Sequence, residues 1–254
     1  MAYIIEALNV CKAFGSNVIL DDVSCQVGAG ENLVLFGKSG TGKSVLLKCI
    51  IGLLTPDSGE ILFEGKSLLN LSLKELNEQR KMIGFLFQSA ALYDSMSVRE
   101  NLEFPLIRNF KFSAADREKK VKDVLEKVSL ENAIDIMPSE LSGGMKKRIG
   151  LARTIISEPK LILYDEPTTG LDPITTKEIS HLINNLQRDL KISSLIVTHD
   201  LMCANIVADK AIVLNEGKII FEGKLEELTK KEDKFLKDFF SPEEIQHNSG
   251  SSNG

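Results

Sequence analysis

A glycine-rich stretch from Gly37 to Ser44 constrains this chain more than any other part of it. Its letters, GKSGTGKS, match the pattern G-x-x-x-x-G-K-[ST] at every fixed position. Apolar residues 33–36 precede it, and residues 45–51 follow with the apolar spacing of a helix. Because a strand, a loop and a helix follow in this order, the sequence predicts a phosphate-binding loop rather than a glycine-rich turn with a chance Lys-Ser.

The residue types of this loop suit a nucleotide triphosphate. Glycines let the backbone bend so that successive N–H groups point at phosphate oxygens, with the positive end of the following helix behind them. The Lys43 ammonium is expected to reach the outer phosphates, and the Ser44 hydroxyl is expected to ligate Mg²⁺. The candidate nucleotide-binding residues here are Gly37, Lys38, Ser39, Gly40, Thr41, Gly42, Lys43, Ser44 and Val45.

Composition excludes several classes of protein. With 43% apolar and 26% charged residues over 254 positions, the chain resembles an ordinary α/β domain with a subdomain. Its formal net charge of −5 argues against broad electrostatic binding to nucleic acid. The cysteines and histidines are dispersed, so we expect reduced thiols and no zinc site. Because no long apolar run or leader pattern is present, we expect a cytoplasmic protein that could still dock on a membrane protein.

Short β-like runs separated by turn signals precede the phosphate loop. They predict an antiparallel sheet that leads into the first parallel strand. Phe14 lies at one of the turns, where its ring could stack on a purine, although isolated aromatic residues in such stretches usually belong to the core. Further on, residues 90–150 predict a mostly helical insertion, with a break from Pro105 to Ser113 and a charged amphipathic helix from Ala114 to Val128.

Later buried strands deliver polar side chains at their carboxyl ends. Gln88 follows one strand, the pair Asp165-Glu166 ends another, and His199 follows a third. Ligands of open α/β sheets bind at this edge. Asp165 suits the Mg²⁺ shell, and Glu166 suits polarising an attacking water. A lone histidine is more often structural, but His199 follows a strand at the edge where the other candidates gather.

A second candidate site begins the helix that runs to Ile156. Ser142, Gly143 and Gly144 stand at its start, and a helix N-terminus of this kind can bind an anion. The alternative is an ordinary capped helix with Ser142 as N-cap, and the sequence favours neither. The three cations at residues 146–148 are expected to form a solvated face.

The chain resembles the nucleotide-binding subunits of ABC transporters over residues 1 to about 225. The resemblance implies a P-loop NTPase fold of the ABC ATPase type, with a RecA-like parallel sheet core, an antiparallel β subdomain and an α-helical subdomain at roughly residues 90–150. A helical extension is expected at residues 226–240 and a disordered tail at residues 241–254. The motifs that carry the resemblance, in order and at family spacing, are GKSGTGKS, Gln88, LSGGM at 141–145, LILYDE at 161–166, GLD at 170–172 and His199.

The resemblance also implies a mechanism, with ATP and Mg²⁺ as cofactors. Two copies would sandwich two ATP molecules head to tail, so that the signature residues, Ser142, Gly143 and Gly144, of one copy close on the γ-phosphate held by Lys43 of the other. Glu166 resembles the family's hydrolytic base, which disfavours a regulatory switch without turnover. The resemblance assigns the remaining roles as follows: adenine stacking to Phe14, a link from Mg²⁺ and water to the membrane partner to Gln88, a dimer contact to Asp172 and γ-phosphate sensing to His199.

Met145 stands where most relatives have glutamine, and this departure is informative. Together with residues 87–98, 138–145 and 172–175, it makes the chain similar to the Mla, or MCE-associated, phospholipid transport ATPases. That resemblance implies an integral membrane permease, an MCE substrate-binding protein and in some systems a STAS-domain subunit as partners, on the inner face of the cytoplasmic membrane. Residues 88–105 would contact a permease coupling helix, although core packing is the alternative for Leu92, Tyr93, Met96 and Val98.

Two other functions remain as alternatives. The first is an ATPase for import of amino acids or other small solutes, whose signature would more often end in glutamine. The second is a non-transport ABC ATPase of DNA repair, chromosome structure or translation. Those proteins usually carry two cassettes, a long coiled-coil insertion or zinc motifs, and this chain has a single cassette with none of them.

Overall fold

The structure is a computed structural model that describes residues 3–228 of the chain. The predicted tail at residues 241–254, and the predicted extension apart from its first three residues, lie outside this part. The strands are β1 (Tyr3–Phe14), β2 (Asn17–Gly28), β3 (Asn32–Phe36), β4 (Ser58–Phe63), β5 (Lys66–Ser67), β6 (Ile83–Leu86), β7 (Leu161–Asp165), β8 (Ser193–Val197), β9 (Lys210–Asn215) and β10 (Lys218–Gly223). The helices are α1 (Lys43–Ile50), α2 (Leu73–Arg80), α3 (Val98–Asn109), α4 (Ala114–Lys127), α5 (Gly143–Ile155), α6 (Pro173–Leu190), α7 (Leu201–Val207) and α8 (Leu225–Leu228).

The first strands form an antiparallel sheet with the order β2-β1-β4-β5. β1 and β2 form a hairpin in which Phe14 pairs with Asn17 across the turn. Apolar side chains of this sheet, such as Val10 and Phe63, are fully buried against α1 and the second sheet. The antiparallel sheet that the sequence predicted is therefore present, and it packs beside the phosphate loop.

The second sheet has the order β10-β9-β3-β8-β7-β6 and is parallel apart from the β9–β10 hairpin. Successive side chains of a strand point to opposite faces. Leu33 and Leu35 accordingly join the core with α1 and the antiparallel sheet, whereas Val34 and Phe36 join the core with the helices. Because both faces are covered, chemistry is confined to the carboxyl edge, where β3, β6, β7 and β8 end side by side.

The helical part between β6 and β7 differs from expectation at Pro105. The sequence predicts a break from Pro105 to Ser113, but α3 contains Pro105 and continues to Asn109. Proline removes one backbone hydrogen bond, that to the carbonyl of residue 101. Leu102 and Leu106 are fully buried on either side of it, and their packing holds the helix together. The break is confined to residues 110–113, after which α4 begins.

The helices share one apolar core with the parallel sheet. Leu102 of α3, Leu125 of α4 and Ile149 of α5 belong to the same buried cluster as Val34 and Tyr164 of the sheet. A displacement of α5 therefore acts directly on the strands that carry the candidate site. Within residues 3–228, no helix combines the length and apolar character needed to cross a bilayer.

Candidate nucleotide-binding site

The predicted phosphate loop connects β3 to α1, as its motif requires. Gly42 has a φ of 103° and caps α1 in the left-handed region, where a side chain would be strained. At Gly37 a Cβ atom would lie 2.5 Å from the carbonyl oxygen of Leu214. Only glycine fits at these two positions, and their backbone shapes the loop.

Lys43 points into the loop rather than into solvent. The residue is only 8% exposed, and Nζ donates to the carbonyl oxygens of Gly37 at 2.6 Å and Lys38 at 2.9 Å. Burial lowers the pKa of Lys43, and the charges of Glu166 and Asp165 oppose that shift. A cation inside a loop of this kind is suited to bind phosphate oxygens.

Ser44 and Asp165 lie 121 positions apart in the sequence and are brought together by the fold. The Ser44 hydroxyl at the start of α1 donates to Asp165 Oδ1, at the end of β7, over 3.1 Å. Burial raises the pKa of Asp165, and the hydrogen bond from Ser44 acts in the opposite direction. Two adjacent oxygen atoms at a partly buried position can supply two of the ligands of a hard cation.

Glu166 is the first residue after β7, and its backbone is strained. Its φ is 52°, and its N–H donates to the Val197 carbonyl over 2.9 Å. The carboxylate oxygen Oε2 accepts from Thr169 Oγ1 at 3.1 Å and lies 2.8 Å from His199 Nδ1. The hydrogen bond to Glu166 raises the pKa of His199, against the effect of burial. The two predicted residues therefore form one hydrogen-bonded pair.

The segment that begins at Gln88, called here the Q-loop (residues 88–91), is held by α5. Gln88 itself is exposed at the end of β6. Ala90 and Ala91 have φ values of 60° and 47°, which L residues rarely adopt. Arg153 of α5 donates to the carbonyls of Ala90 at 2.9 Å and Ala91 at 2.7 Å. The guanidinium thus stabilises an unusual backbone conformation next to a candidate catalytic residue.

The prediction that the cations at residues 146–148 form a solvated face is wrong for Lys147. Lys147 is 5% exposed, and its Nζ donates to the carbonyls of Gln88 and Glu166, the latter over 3.3 Å. Burial lowers its pKa to about 8, while the charges of Glu166 and Asp165 act against this. Residues four apart share a helix face, so Lys147 lies on the buried side with Leu151.

The signature residues 142–144 stand at the exposed tip of α5. Ser142 is the N-cap, and its hydroxyl accepts from the Met145 N–H over 3.2 Å. A Cβ atom at Gly144 would lie 2.8 Å from Thr175 Cγ2 of α6. Asp172 caps α6 by accepting from the N–H groups of Ile174 and Thr175, both over 3.0 Å. The signature and the residues after Gly170 therefore pack together within one chain, while Ser142 and Gly143 remain exposed.

Phe14 is not a core residue. It lies at the tip of the β1–β2 hairpin and is 50% exposed, with Lys12 Nζ 5.6 Å from its ring centroid. The sequence left open whether residues of the proposed permease contact belong to the core. Of these residues, Val98 is fully buried, whereas Tyr93 is 45% exposed. An exposed ring at a hairpin tip can stack on a planar ligand.

Sequence reasoning missed three site residues, namely Thr169, Lys147 and Arg153. Thr169 lies in the turn after Glu166, and no motif marks its hydroxyl as a partner of that carboxylate. Lys147 and Arg153 are cations of α5, and no motif distinguishes them in the sequence from the solvated cations of the same helix. Their carbonyl partners depend on the tertiary fold and have no signature in the chain.

A strand, phosphate loop and helix in a parallel sheet, with acids at the end of a further strand of that sheet, define a P-loop ATPase. The family model described as ABC transporter matches residues 20–169. A dimeric ATP-binding cassette, MJ0796, solved in a post-hydrolysis state bound to ADP and Pi, has a TM-score of 0.78 and 33% identity, covering 87% of this chain and 98% of that one. This chain belongs to the ABC transporter family. It is an ATP-binding subunit that hydrolyses ATP, and the predicted fold class is confirmed.

Relatives of known name are similar over most of their length. The intermembrane phospholipid transport ATP-binding protein MlaF of Haemophilus influenzae is 42% identical over 230 residues, which are 91% of this chain and 87% of that protein. The probable ribonucleotide transport ATP-binding protein mkl of Mycobacterium leprae is 40% identical over 245 residues, 96% of this chain and 71% of that protein. The chloroplastic protein trigalactosyldiacylglycerol 3 of Arabidopsis thaliana is 41% identical over 253 residues, covering 93% and 73% respectively.

Proposed function

We propose that paired copies of this chain hydrolyse ATP to drive phospholipid transport through a membrane permease. The observation that carries the proposal is the convergence of Lys43, the Ser44–Asp165 pair and the Glu166–His199 pair at one sheet edge. They come from three separate parts of the chain: the phosphate loop with the start of α1, the end of β7, and the segment after β8. Such a constellation supports phosphate binding, metal binding and water activation in a single site.

Ser44 and Asp165 are the residues that would hold Mg²⁺. Their oxygens are hard ligands 3.1 Å apart, and a cation would offset the cost of burying the Asp165 carboxylate. Within residues 3–228 there is no group of three His, Cys, Asp or Glu side chains able to hold a metal. This suits an ion that takes its remaining ligands from phosphates, water and the Gln88 amide. When bound, Mg²⁺ supplies charge neutralisation for the phosphates.

Glu166 would accept the proton of the attacking water. Its carboxylate is held from one side by Thr169 and His199, which leaves Oε1 as the oxygen for the water. Lys43 would bind the outer phosphates, and His199 would sense the γ-phosphate through its second ring nitrogen. Phe14 would stack on adenine at the hairpin tip, because its ring is exposed there.

A second copy would complete each site. Ser142 and Gly143 are exposed at the N-terminus of α5, where backbone N–H groups and the helix dipole favour an anion. Asp172 lies beside them at the α6 cap and would contact the partner copy. The dimeric state of the solved cassette MJ0796 supports a pair of copies, and the proposed contact between the signature of one copy and the nucleotide of the other would make that pair head-to-tail.

The permease would dock in a groove beside the Q-loop. The groove has a volume of about 440 Å³. Phe87 and Tyr93 are 41% and 45% exposed there, and the Tyr93 and Phe104 ring centroids lie 5.0 Å apart. Exposed aromatic rings in a concave site favour binding of a protein partner. The chain would then lie on the inner face of the cytoplasmic membrane without spanning it.

The proposal that the transported substrate is a phospholipid rests on the relatives of this chain and on Met145. The names of MlaF and trigalactosyldiacylglycerol 3 refer to lipids, and the similarity of the signature to MCE-associated ATPases supports an MCE substrate-binding protein and a STAS-domain subunit as further partners. The alternative of a small-solute importer has weaker support, from a 38% identity over 222 residues to the methionine import ATP-binding protein MetN of Rhizobium johnstonii. A role on nucleic acid has no such support.

Affinity purification of the full chain from detergent-solubilised membranes tests the proposal. We expect a permease and an MCE protein to copurify, with phospholipid in excess over a mock purification. Copurification with a solute-binding protein and no enriched lipid would favour the small-solute importer instead. Recovery of ribosomes or DNA-repair proteins in place of a permease would contradict any transport function.

A further inference from the structure

Lys147 is a buried cation that the roles described above do not use. It has 5% exposure, and Nζ donates to the backbone carbonyls of Gln88 and Glu166. Removing an ammonium from water is costly unless its protons are bound. An apolar residue here could not donate to either carbonyl, so the ammonium does more than fill space.

The two carbonyls belong to two of the residues that are candidates for catalysis. Gln88 follows β6 and Glu166 follows β7, and these strands are neighbours in the parallel sheet. A single ammonium therefore fixes the distance between the ends of both strands. Glu166 has its φ at 52°, so a donor on its carbonyl also helps to hold a strained backbone in place.

The other end of α5 carries the signature. Lys147 lies five residues after the N-cap Ser142, which is about 7.5 Å along the helix axis. A helix of this length moves as a rigid rod. A shift of the α5 tip toward an anion would therefore displace the Lys147 ammonium, and with it the carbonyls of Gln88 and Glu166.

We propose that Lys147 is a positioning residue that couples the two ATP sites of the dimer. This rests on the proposed function, in which the α5 tip of one copy binds the nucleotide of the other. Nucleotide captured by Ser142 in the partner's site pulls α5, and Lys147 then aligns Gln88 and Glu166 in its own site. Hydrolysis in one site consequently depends on occupancy of the other.

Lys147→Met tests the proposal, because methionine keeps the length and apolar stem of lysine and removes the donor. Steady-state hydrolysis is measured against ATP concentration in the purified, permease-bound complex. We expect a wild-type Hill coefficient between 1 and 2, the ceiling for two sites. The variant should fall to about 1, with kcat lower by about tenfold to a hundredfold and nucleotide affinity of the isolated chain changed by less than about threefold.

Lys146→Met is the matched control, since Lys146 is the adjacent lysine of the same helix and is only partly buried. It should keep the wild-type coefficient and kcat. Lys147→Arg keeps charged donors and should restore part of the cooperativity. Because a merely structural lysine would lower kcat by unfolding, the thermal midpoint of each variant is measured as well.

Two results would overturn the coupling role. One is a folded Lys147→Met variant with wild-type Hill coefficient and kcat, and the other is a wild-type coefficient of 1. ATP-dependent dimer formation by Glu166→Gln is followed separately by light scattering. If Glu166→Gln forms dimers but Lys147→Met keeps the wild-type cooperativity, only the role of Lys147 is rejected. If Glu166→Gln stays monomeric with ATP, both that role and the proposed function are rejected.

Discussion

Glu166 is held by three neighbours at the point where the backbone leaves β7. Its N–H is bound by Val197, and its Oε2 by Thr169 and His199. The left-handed φ of 52° turns the residue away from the strand direction, and such strain persists where the surroundings enforce it. The geometry favours one defined carboxylate orientation, which is what a base must have before water binds.

Glu166→Gln should separate ATP binding from hydrolysis. The amide keeps the size of the side chain but cannot accept a proton, so kcat should fall by about a hundredfold or more. ATP should still bind, and closed dimers should accumulate, as measured by size-exclusion chromatography with light scattering. Sustained turnover in this variant would exclude Glu166 as the base.

The His199–Glu166 pair should make stability depend on pH. The pKa of His199 is raised above its ordinary 6.5, chiefly by the hydrogen bond to Glu166, so the folded state binds the proton more tightly than the unfolded state. The stabilisation is complete below about pH 6.5 and is lost as the pH rises through the raised pKa. In His199→Gln, the urea midpoint should therefore fall less between pH 6 and 8 than in the wild type. Parallel midpoint curves for the two proteins would contradict this.

At the scale of elements, α3 begins at a signal local to the sequence, whereas α5 acts on the Q-loop through the tertiary fold. α3 begins with a capping box between Ser97 and Glu100, a local device that the sequence displays. α5 contributes Arg153, whose effect depends on the tertiary fold. The strand ends and the phosphate loop could be predicted, because each is marked by residues that follow one another in a single short run of sequence. The inward turn of Lys147 and the helical state of Pro105 were not predicted, because packing against the sheet overrides local preference.

Pro105→Ala should stabilise the chain. Proline inside α3 leaves the carbonyl of residue 101 without its helical donor, and alanine restores that hydrogen bond. We expect the free energy of unfolding to rise by about 1–3 kcal/mol, measured by urea denaturation. Leu106→Ala, one position further on and fully buried, should instead lower it by about 2–5 kcal/mol. A lower stability in Pro105→Ala would mean that the proline ring is needed for packing.

At the scale of the whole molecule, nucleotide chemistry and partner docking lie on linked surfaces. The groove of the proposed permease contact is lined by Phe87, Tyr93 and Arg153. Arg153 also binds the Q-loop carbonyls, and its guanidinium carbon lies 5.8 Å from the Tyr93 ring centroid. A partner seated in the groove would therefore contact the same side chains that hold the loop next to Gln88.

Tyr93→Asp should weaken permease binding without abolishing ATP binding. A carboxylate in an aromatic groove must be desolvated when the partner docks, which should reduce the copurified permease by about tenfold or more. Leu53→Asp is the control, since Leu53 is 55% exposed and lies in the turn after α1. Equal recovery of permease with both variants would show that the groove is not the docking site.

Ala90 and Ala91 hold the backbone of the Q-loop in an unfavourable conformation. Each alanine in the left-handed region costs about 1–2 kcal/mol. The Arg153 guanidinium helps to hold both there, together with the hydrogen bond from the Ala90 N–H to the Phe87 carbonyl. Loss of the Arg153 contacts would therefore make a change in the loop backbone less costly. If a docked membrane partner drew Arg153 away from these carbonyls, the Q-loop would change conformation more readily, and Gln88 would move with it.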